Sequence, residues 1–173
     1  MTEKQEKILD AALQLFAKEG YHATSTSKVA KAAGVSEGLI FRHFENKQGL
    51  LESVLHLGEE RTRHMIADII MNSDPKEIIR RSIAMPFSVP EEDHDFWRLL
   101  FKLKWELDRM SFDKLEPLKV ALTSAFKKLS YKNPELEAEF LLHVIDGISS
   151  ALLRNELENP DALLTLIKNK YNI

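Results

Sequence analysis

Apolar residues recur along this chain at intervals of three and four, and almost nowhere at intervals of two. Ile8, Ala11, Ala12, Leu15 and Phe16 share one helical face, the signature of an amphipathic α-helix rather than a strand. Gly20, just after Lys18, ends that helix. Val29, Ala30 and Ala33 give a short apolar face over 26–33, entered from the Thr/Ser cluster at 24–27 and closed by Gly34. Ser36 is placed to cap a third helix over 37–44. After the polar stretch Glu45–Asn46–Lys47, a long helix runs from about Lys47 to Met71. Its apolar positions are Leu50, Leu51, Val54, Leu55, Ile66, Ile69 and Ile70.

The remainder repeats one device, a capping residue followed by proline at the first helical position. Pro75 starts one helix and Pro86 stops it. Pro90 starts the next, with Glu91, Glu92 and Asp93 in a first turn where the helix dipole favours acids. Pro134 and Pro160 start two more. Pro117 either kinks a helix within 112–129 or marks its first turn. No alternating run is joined by a hairpin turn, so no sheet is expected. The fold class is therefore all-α, with about nine helices: three short ones over 1–46, then a larger helical domain over 47–173.

Composition narrows the function. The 173 residues are 44% hydrophobic and 29% charged, with a net charge of -3, so any nucleic-acid site is a local patch rather than a basic surface. Residues 1–50 carry seven Lys/Arg and six Asp/Glu, against seventeen and twenty-one over 51–173. With no cysteine, disulfides and thiolate metal sites are excluded. "MTEKQEKILDAALQLF" lacks the apolar core of a signal peptide, and no run approaches the ~20 apolar residues of a membrane span. A cytoplasmic protein without a membrane partner is expected.

Helix 26–33, a turn at Gly34–Ser36 and helix 37–44 have the proportions of a helix-turn-helix. Gly34 suits a chain reversal at positive φ. In such units the second helix enters the major groove, its N-terminal residues nearest the base edges. Phe41, Arg42 and His43 are consecutive and cannot all face one core. Ile40 and Phe44 share the packing side, which leaves Glu37, Gly38, Phe41 and Arg42 on others. Gly38 costs roughly 1 kcal/mol of helix stability relative to alanine, and close approach to another body explains that cost. Arg42 and His43 suit phosphates or guanine edges, Phe41 a thymine methyl, and Glu37 a cytosine amine. Ser25, Thr26, Lys28, Ser36 and Lys47 sit where hydroxyls, helix N-termini and ammonium groups hold phosphates. Plainer readings stand beside these: a solvated face for Arg42, His43 and Lys47, core packing for Phe41, dipole compensation for Glu37, and capping for Ser25.

The stretch "ATSTSKVAKAAGVSEGLIFRHFENKQGLL" resembles the DNA-binding domain of the TetR (tetracycline repressor-like) family of bacterial regulators. The resemblance rests on Gly20, Thr24–Ser25, Val29–Ala30, Ala33 to Ser36, Gly38, the aromatic Phe41, His43–Phe44 and Lys47. It covers about residues 5–55; later helices agree only in number, length and order. It implies a homodimeric regulator with a DNA-binding domain over 1–46 and a ligand-binding and dimerisation domain over 47–173. It also implies that Phe41 and His43 contact bases or phosphates, and Thr26 and Lys47 phosphates. Two positions depart from the family. Phe41 stands where tyrosine is usual, so a phenolic bond to phosphate is absent. Lys28 replaces an acidic residue that in many members completes a capping box.

Other chemistry is poorly represented. His56 and His64 lie eight apart, not at ligand spacing, and there is no His-Glu-x-x-His, Walker loop, dinucleotide fingerprint or Gly-x-Ser-x-Gly. No cofactor, metal or catalytic residue is expected, and the chain is read as a non-enzyme. Bulky groups concentrate over 85–126, Met110 and Phe112 among them. Met65, Phe96, Trp97, Leu100, Phe101 and Trp105 are candidate walls of a cavity for a hydrophobic or aromatic effector. Phe140, Val144, Gly147, Ile148, Ala151 and Leu152, with Leu163, Leu166 and Ile167, are candidates for a two-fold four-helix interface; intramolecular core is the alternative. The expectation is a repressor released from a palindromic operator by a small molecule. An activator or partner-binding module of the same fold, or an all-α ligand carrier or enzyme, are the alternatives.

Overall fold

The computed structural model describes residues 1–106 and 115–173, with the side chains of all of these except 103–106. Among them are nine α-helices and no strand: α1 (Glu3–Glu19), α2 (Thr26–Ala33), α3 (Glu37–Phe44), α4 (Lys47–Ile70), α5 (Pro75–Ala84), α6 (His94–Glu106), α7 (Glu116–Lys128), α8 (Pro134–Leu153) and α9 (Pro160–Lys170). Met110 and Phe112 lie outside the described residues, as does the side chain of Trp105.

Local chemistry sets most helix ends. Thr2 and Gln5 form a reciprocal capping box at the start of α1, the Gln5 amide N–H donating to Thr2 and the Gln5 side chain accepting from the Thr2 N–H. Gly20 closes α1 at φ 93°, its N–H donating to the Phe16 carbonyl. Proline occupies the first turn of α5, α7, α8 and α9, where its missing N–H costs nothing. Pro117 thus marks a first turn, not a kink. Asp74 and Asn159 cap α5 and α9 by accepting from Lys76 and Ala162 backbone N–H groups.

One expected start is displaced. The helix expected from Pro90 begins instead at His94, behind short 3-10 turns over Met85–Ser88 and Glu91–Asp93. The acidic residues are accordingly divided. Asp93 pairs with Arg61 of α4, and Asp95 pairs with Arg98 at 2.7 Å.

The chain forms two compact units. The first is Met1–Arg61 together with 92–106, and the second is Thr62–Glu91 together with 115–173. In the first, Ile8, Ala12 and Phe16 of α1, Val29 of α2, Ile40 and Phe44 of α3, and Leu50 and Val54 of α4 make one core. Leu99 of α6 is fully buried in it. Phe96 and Leu100 press on α4 so closely that a Cβ at Gly58 would lie 2.6 Å from Phe96 Cζ. In the second, Ile79, Ile83, Leu118, Leu122, Phe126, Leu141 and Ile145 form the core. Tyr131 and Tyr171 flank Phe126; burial, then the nearby Glu137 carboxylate, push the Tyr171 phenol up to about 12.

The chain is tightly packed at the junction between α3 and α4. Glu45 turns the chain at φ 64°, uncommon for a residue with a side chain. Asn46 then caps α4, its Oδ1 accepting from the Gly49 N–H at 2.9 Å. A Cβ on Gly49 would lie 2.1 Å from the Phe44 carbonyl oxygen, a backbone atom that cannot swing aside. Gly49→Ala is therefore expected to destabilise the protein by about 1–3 kcal/mol, the usual cost of overpacking, read as a lower urea midpoint; an unchanged midpoint would contradict the contact.

Candidate nucleic-acid interface

The geometry around α3 starts from one glycine-dependent turn. Gly34 ends α2 in the left-handed region at φ 67°, ψ 33°. The Val35 N–H then donates back to the Ala30 carbonyl, which closes α2 and turns the chain into α3. Ser36 is extended ahead of α3, but its side chain makes no capping hydrogen bond. The cap expected there is absent; only its carbonyl is used, accepting from Leu39 N–H at 3.0 Å. The Ser36 hydroxyl is exposed instead.

α3 is divided as its spacing requires. Ile40 is fully buried and Phe44 nearly so. Gly38 and Arg42 are exposed, and 47% of Phe41 is accessible. Core packing is thus excluded for Phe41. A Cβ at Gly38 would meet nothing within 4 Å, so no contact among the described residues requires glycine there. Arg42 has no ion pair among the described residues. One face of a short helix therefore presents a missing side chain, an exposed ring and an uncommitted guanidinium.

The other candidate residues are held by partners. Ser25 caps α2 by accepting from the Lys28 N–H at 3.1 Å. The N–H groups of Thr26 and Ser27, in the first turn, have no intrahelical acceptor. The Thr26 hydroxyl donates to Glu37 Oε1 at 2.6 Å. Lys28 is paired with Glu19 of α1. Lys47, at the first position of α4, donates to the His22 carbonyl at 3.2 Å and lies 4.4 Å from the Tyr21 ring centre. His43 is half-buried, with Nδ1 3.4 Å from the Gln5 side-chain amide. When Gln5 donates that bond, Nδ1 is the acceptor and Nε2 carries the proton, so Nε2 is left as a donor.

The structure thus brings Ser25, Thr26 and Glu37 together and places Gly38, Phe41 and Arg42 along the open side of α3. Gln5, Glu19, Tyr21 and Gly49 support the arrangement and were missed in the sequence. Gln5 had a local signal, the T-x-x-Q spacing of a capping box. The contacts of Glu19 and Tyr21 are made only by packing.

The candidate effector residues divide differently. Phe96 and Leu100 are buried in the first unit; Trp97 and Phe101 are half-buried, with the Trp97 ring edge-on to Phe96 at 5.2 Å. Met65 belongs to the second unit and is half-buried. In α8, Leu141 and Ile145 turn into the core of the second unit. Phe140 and Gly147 are exposed, and Val144, Ile148, Ala151 and Leu152 are partly so. On α9, Leu166 is 54% exposed and Leu163 half-buried. Ile167 is a correction. One residue further round α9 than Leu166, it packs into the core at 6% exposure.

Comparison with known proteins bears on the same region. Residues 8–54 match the family described as bacterial regulatory proteins, tetR family. The HTH-type transcriptional regulator YvkB of Bacillus subtilis is 54% identical over 55 residues, covering 32% of this chain and 29% of the relative. The fatty acid metabolism regulator protein of the same organism is 37% identical over 94 residues, covering 53% and 48%. The chain thus spans less than half the length of these curated relatives. The solved fatty acid degradation regulator FadR of Bacillus halodurans has the same fold, with a TM-score of 0.73 at 22% identity over 98% of this chain and 94% of that one. No helix among the described residues is long and apolar enough to cross a membrane.

Because nothing among the described residues meets a side chain at position 38, Gly38→Ala is expected to stabilise the isolated protein by up to about 1 kcal/mol through helix propensity. A rise in the urea midpoint at constant slope checks this; a fall would mean that an intrachain contact requires the glycine.

Proposed function

With residues 8–54 belonging to the tetR family of bacterial regulatory proteins, we propose that this chain is a homodimeric, DNA-binding transcriptional repressor released from a palindromic operator by a small hydrophobic molecule. Residues 1–46 form the DNA-binding domain and 47–173 the effector-binding and dimerisation domain. The observation that carries the DNA reading is the open face of α3. Gly38, Phe41 and Arg42 each have a local cost or an unused capacity that the folded chain does not explain. A major groove explains all three: backbone approach at Gly38, apolar contact at Phe41, and paired donors from Arg42 to guanine or phosphate. The first-turn N–H groups of α2, with Lys47 and His43, hold the flanking phosphates. The net charge of -3 does not oppose this, because a local group of cations suffices for phosphate contacts.

The length of the reader supports a second copy. One eight-residue helix reaches one half-site, and paired heads engage major grooves ~34–36 Å apart. The outward side of α8 and α9 supports the pairing: Leu136 at 64%, Phe140 at 59% and Leu166 at 54% exposed are large apolar groups in water. Gly147 beside them would meet nothing with a Cβ, which suits close helix approach between copies.

The packing of α6 supports release by an effector. Its Leu99 is part of the core beneath α3, and its Phe96 and Leu100 interlock with Gly58 of α4. An effector bound against the aromatic side of α6 shifts that helix, and with it the populations of head arrangements that fit or misfit the operator. Fatty acyl compounds are the first class to test, since a relative is a regulator of fatty acid metabolism.

Selection from a random DNA pool is expected to enrich a two-fold site. Arg42→Ala should weaken it by about 1–3 kcal/mol, and Gly38→Ala should weaken it although the protein becomes more stable. A wild-type protein with no sequence preference would overturn the reading. Separately, Phe140→Asp combined with Leu166→Asp should yield a folded monomer by sedimentation; a persistent dimer would move the interface elsewhere.

A further inference from the structure

Thr26 and Glu37 open α2 and α3, and a hydrogen bond of 2.6 Å joins them across eleven residues of sequence. A threonine hydroxyl has one hydrogen to give. While it is given to Glu37, the side chain cannot donate to a phosphate; the Thr26 backbone N–H takes that role. Glu37 has one oxygen engaged and no partner for the other among the described residues. It is half-exposed, between exposed Ser36 and exposed Gly38, at the end of α3 that meets base edges in a helix-turn-helix.

For binding to DNA in general this is a poor choice. A carboxylate between two phosphate backbones is repelled by both. Compensation of the helix dipole is available to a carboxylate turned to solvent and does not need the threonine. What an anchored carboxylate offers is discrimination, because it accepts hydrogen bonds and cannot donate them. In the major groove it is repelled by guanine O6 and N7 and by thymine O4. Adenine presents an amine with the N7 acceptor beside it, whereas cytosine presents its N4 amine beside a C–H edge.

We propose that Glu37, held by Thr26 as its positioning residue, is a specificity-determining group that selects cytosine at one base pair of each half-site and lowers affinity for all other DNA. This rests on the DNA-binding reading above and adds to it the Thr26 anchor and a penalty against every other base.

The test is random-pool selection with the full-length wild type and with Glu37→Ala, Glu37→Gln, Thr26→Val and Thr26→Ser. Binding to unselected DNA and thermal unfolding are measured in parallel. In the wild-type site, one cytosine per half-site should be preferred roughly tenfold or more over other bases. Glu37→Ala should erase the preference at that position alone while binding unselected DNA more tightly. Glu37→Gln should move it to adenine, for which a carboxamide has matched donor and acceptor. Thr26→Val should weaken the preference, and Thr26→Ser should keep it. If the wild type enriches a palindrome and Glu37→Ala enriches the same one with uniformly weaker binding, Glu37 is only a structural first-turn residue and the inference fails while the regulator stands. If the wild type enriches no site, the DNA-binding reading falls and takes this inference with it.

Discussion

An eight-residue helix is too short to persist in water by itself, so everything proposed for α3 depends on the burial of Ile40 and Phe44. Those two side chains, four apart, fix α3 to the core made by α1, α2 and the start of α4. Once they are inside, the helical period leaves no choice about Gly38, Phe41 and Arg42, which must face outward. The turn that follows is equally constrained. Glu45 at positive φ and Gly49 against the Phe44 carbonyl bring α4 in directly behind α3. A long helix so closely joined to a short one gives the short one a rigid base.

The polar residues around this base show a division of labour. Lys28, Lys47, Thr26 and His43 each have a partner from another element. Ordering such side chains in advance lowers the entropy lost when a ligand fixes them. Arg42 alone of the expected readers keeps all its donors uncommitted among the described residues. In the proposed complex, positioned groups suit the regular phosphate backbone, whereas a long, free guanidinium is left to adapt to the groove. The exposed Phe41 beside it loses little in water as a single apolar residue, and gains only when something covers it.

Much of this was legible in the sequence, and for local reasons. The bounds of α2 and α3 follow from Ser25, Gly34 and the apolar spacing, because capping and chain reversal are decided by a few adjacent residues. Proline in a first turn likewise announced α5, α8 and α9. Reading failed where a long-range contact competes with a local preference. Pro90 and its acids resemble a helix start, yet Asp93 is drawn to Arg61, thirty-two residues away, and α6 begins later. Ser36 has the residue type of a cap without the bond.

Periodicity gave the faces of α8 and α9 but not their orientation. Leu141, Ile145 and Ile167 are as apolar as Phe140, Val144 and Leu166, and only their neighbours in space send the first three inward. The sequence by itself determined the helices, their order, the helix-turn-helix and which side chains of α3 face outward, since these follow from spacing, caps and side-chain chemistry within a turn or two. Only the tertiary structure decided that Glu37 is anchored by Thr26, that Leu99 of α6 joins the core of α1 to α4, and which half of each apolar stripe stays in water. Those depend on which surfaces are packed together, and hydrophobic burial is non-directional, so a pattern of apolar residues states that a face is covered without stating by what.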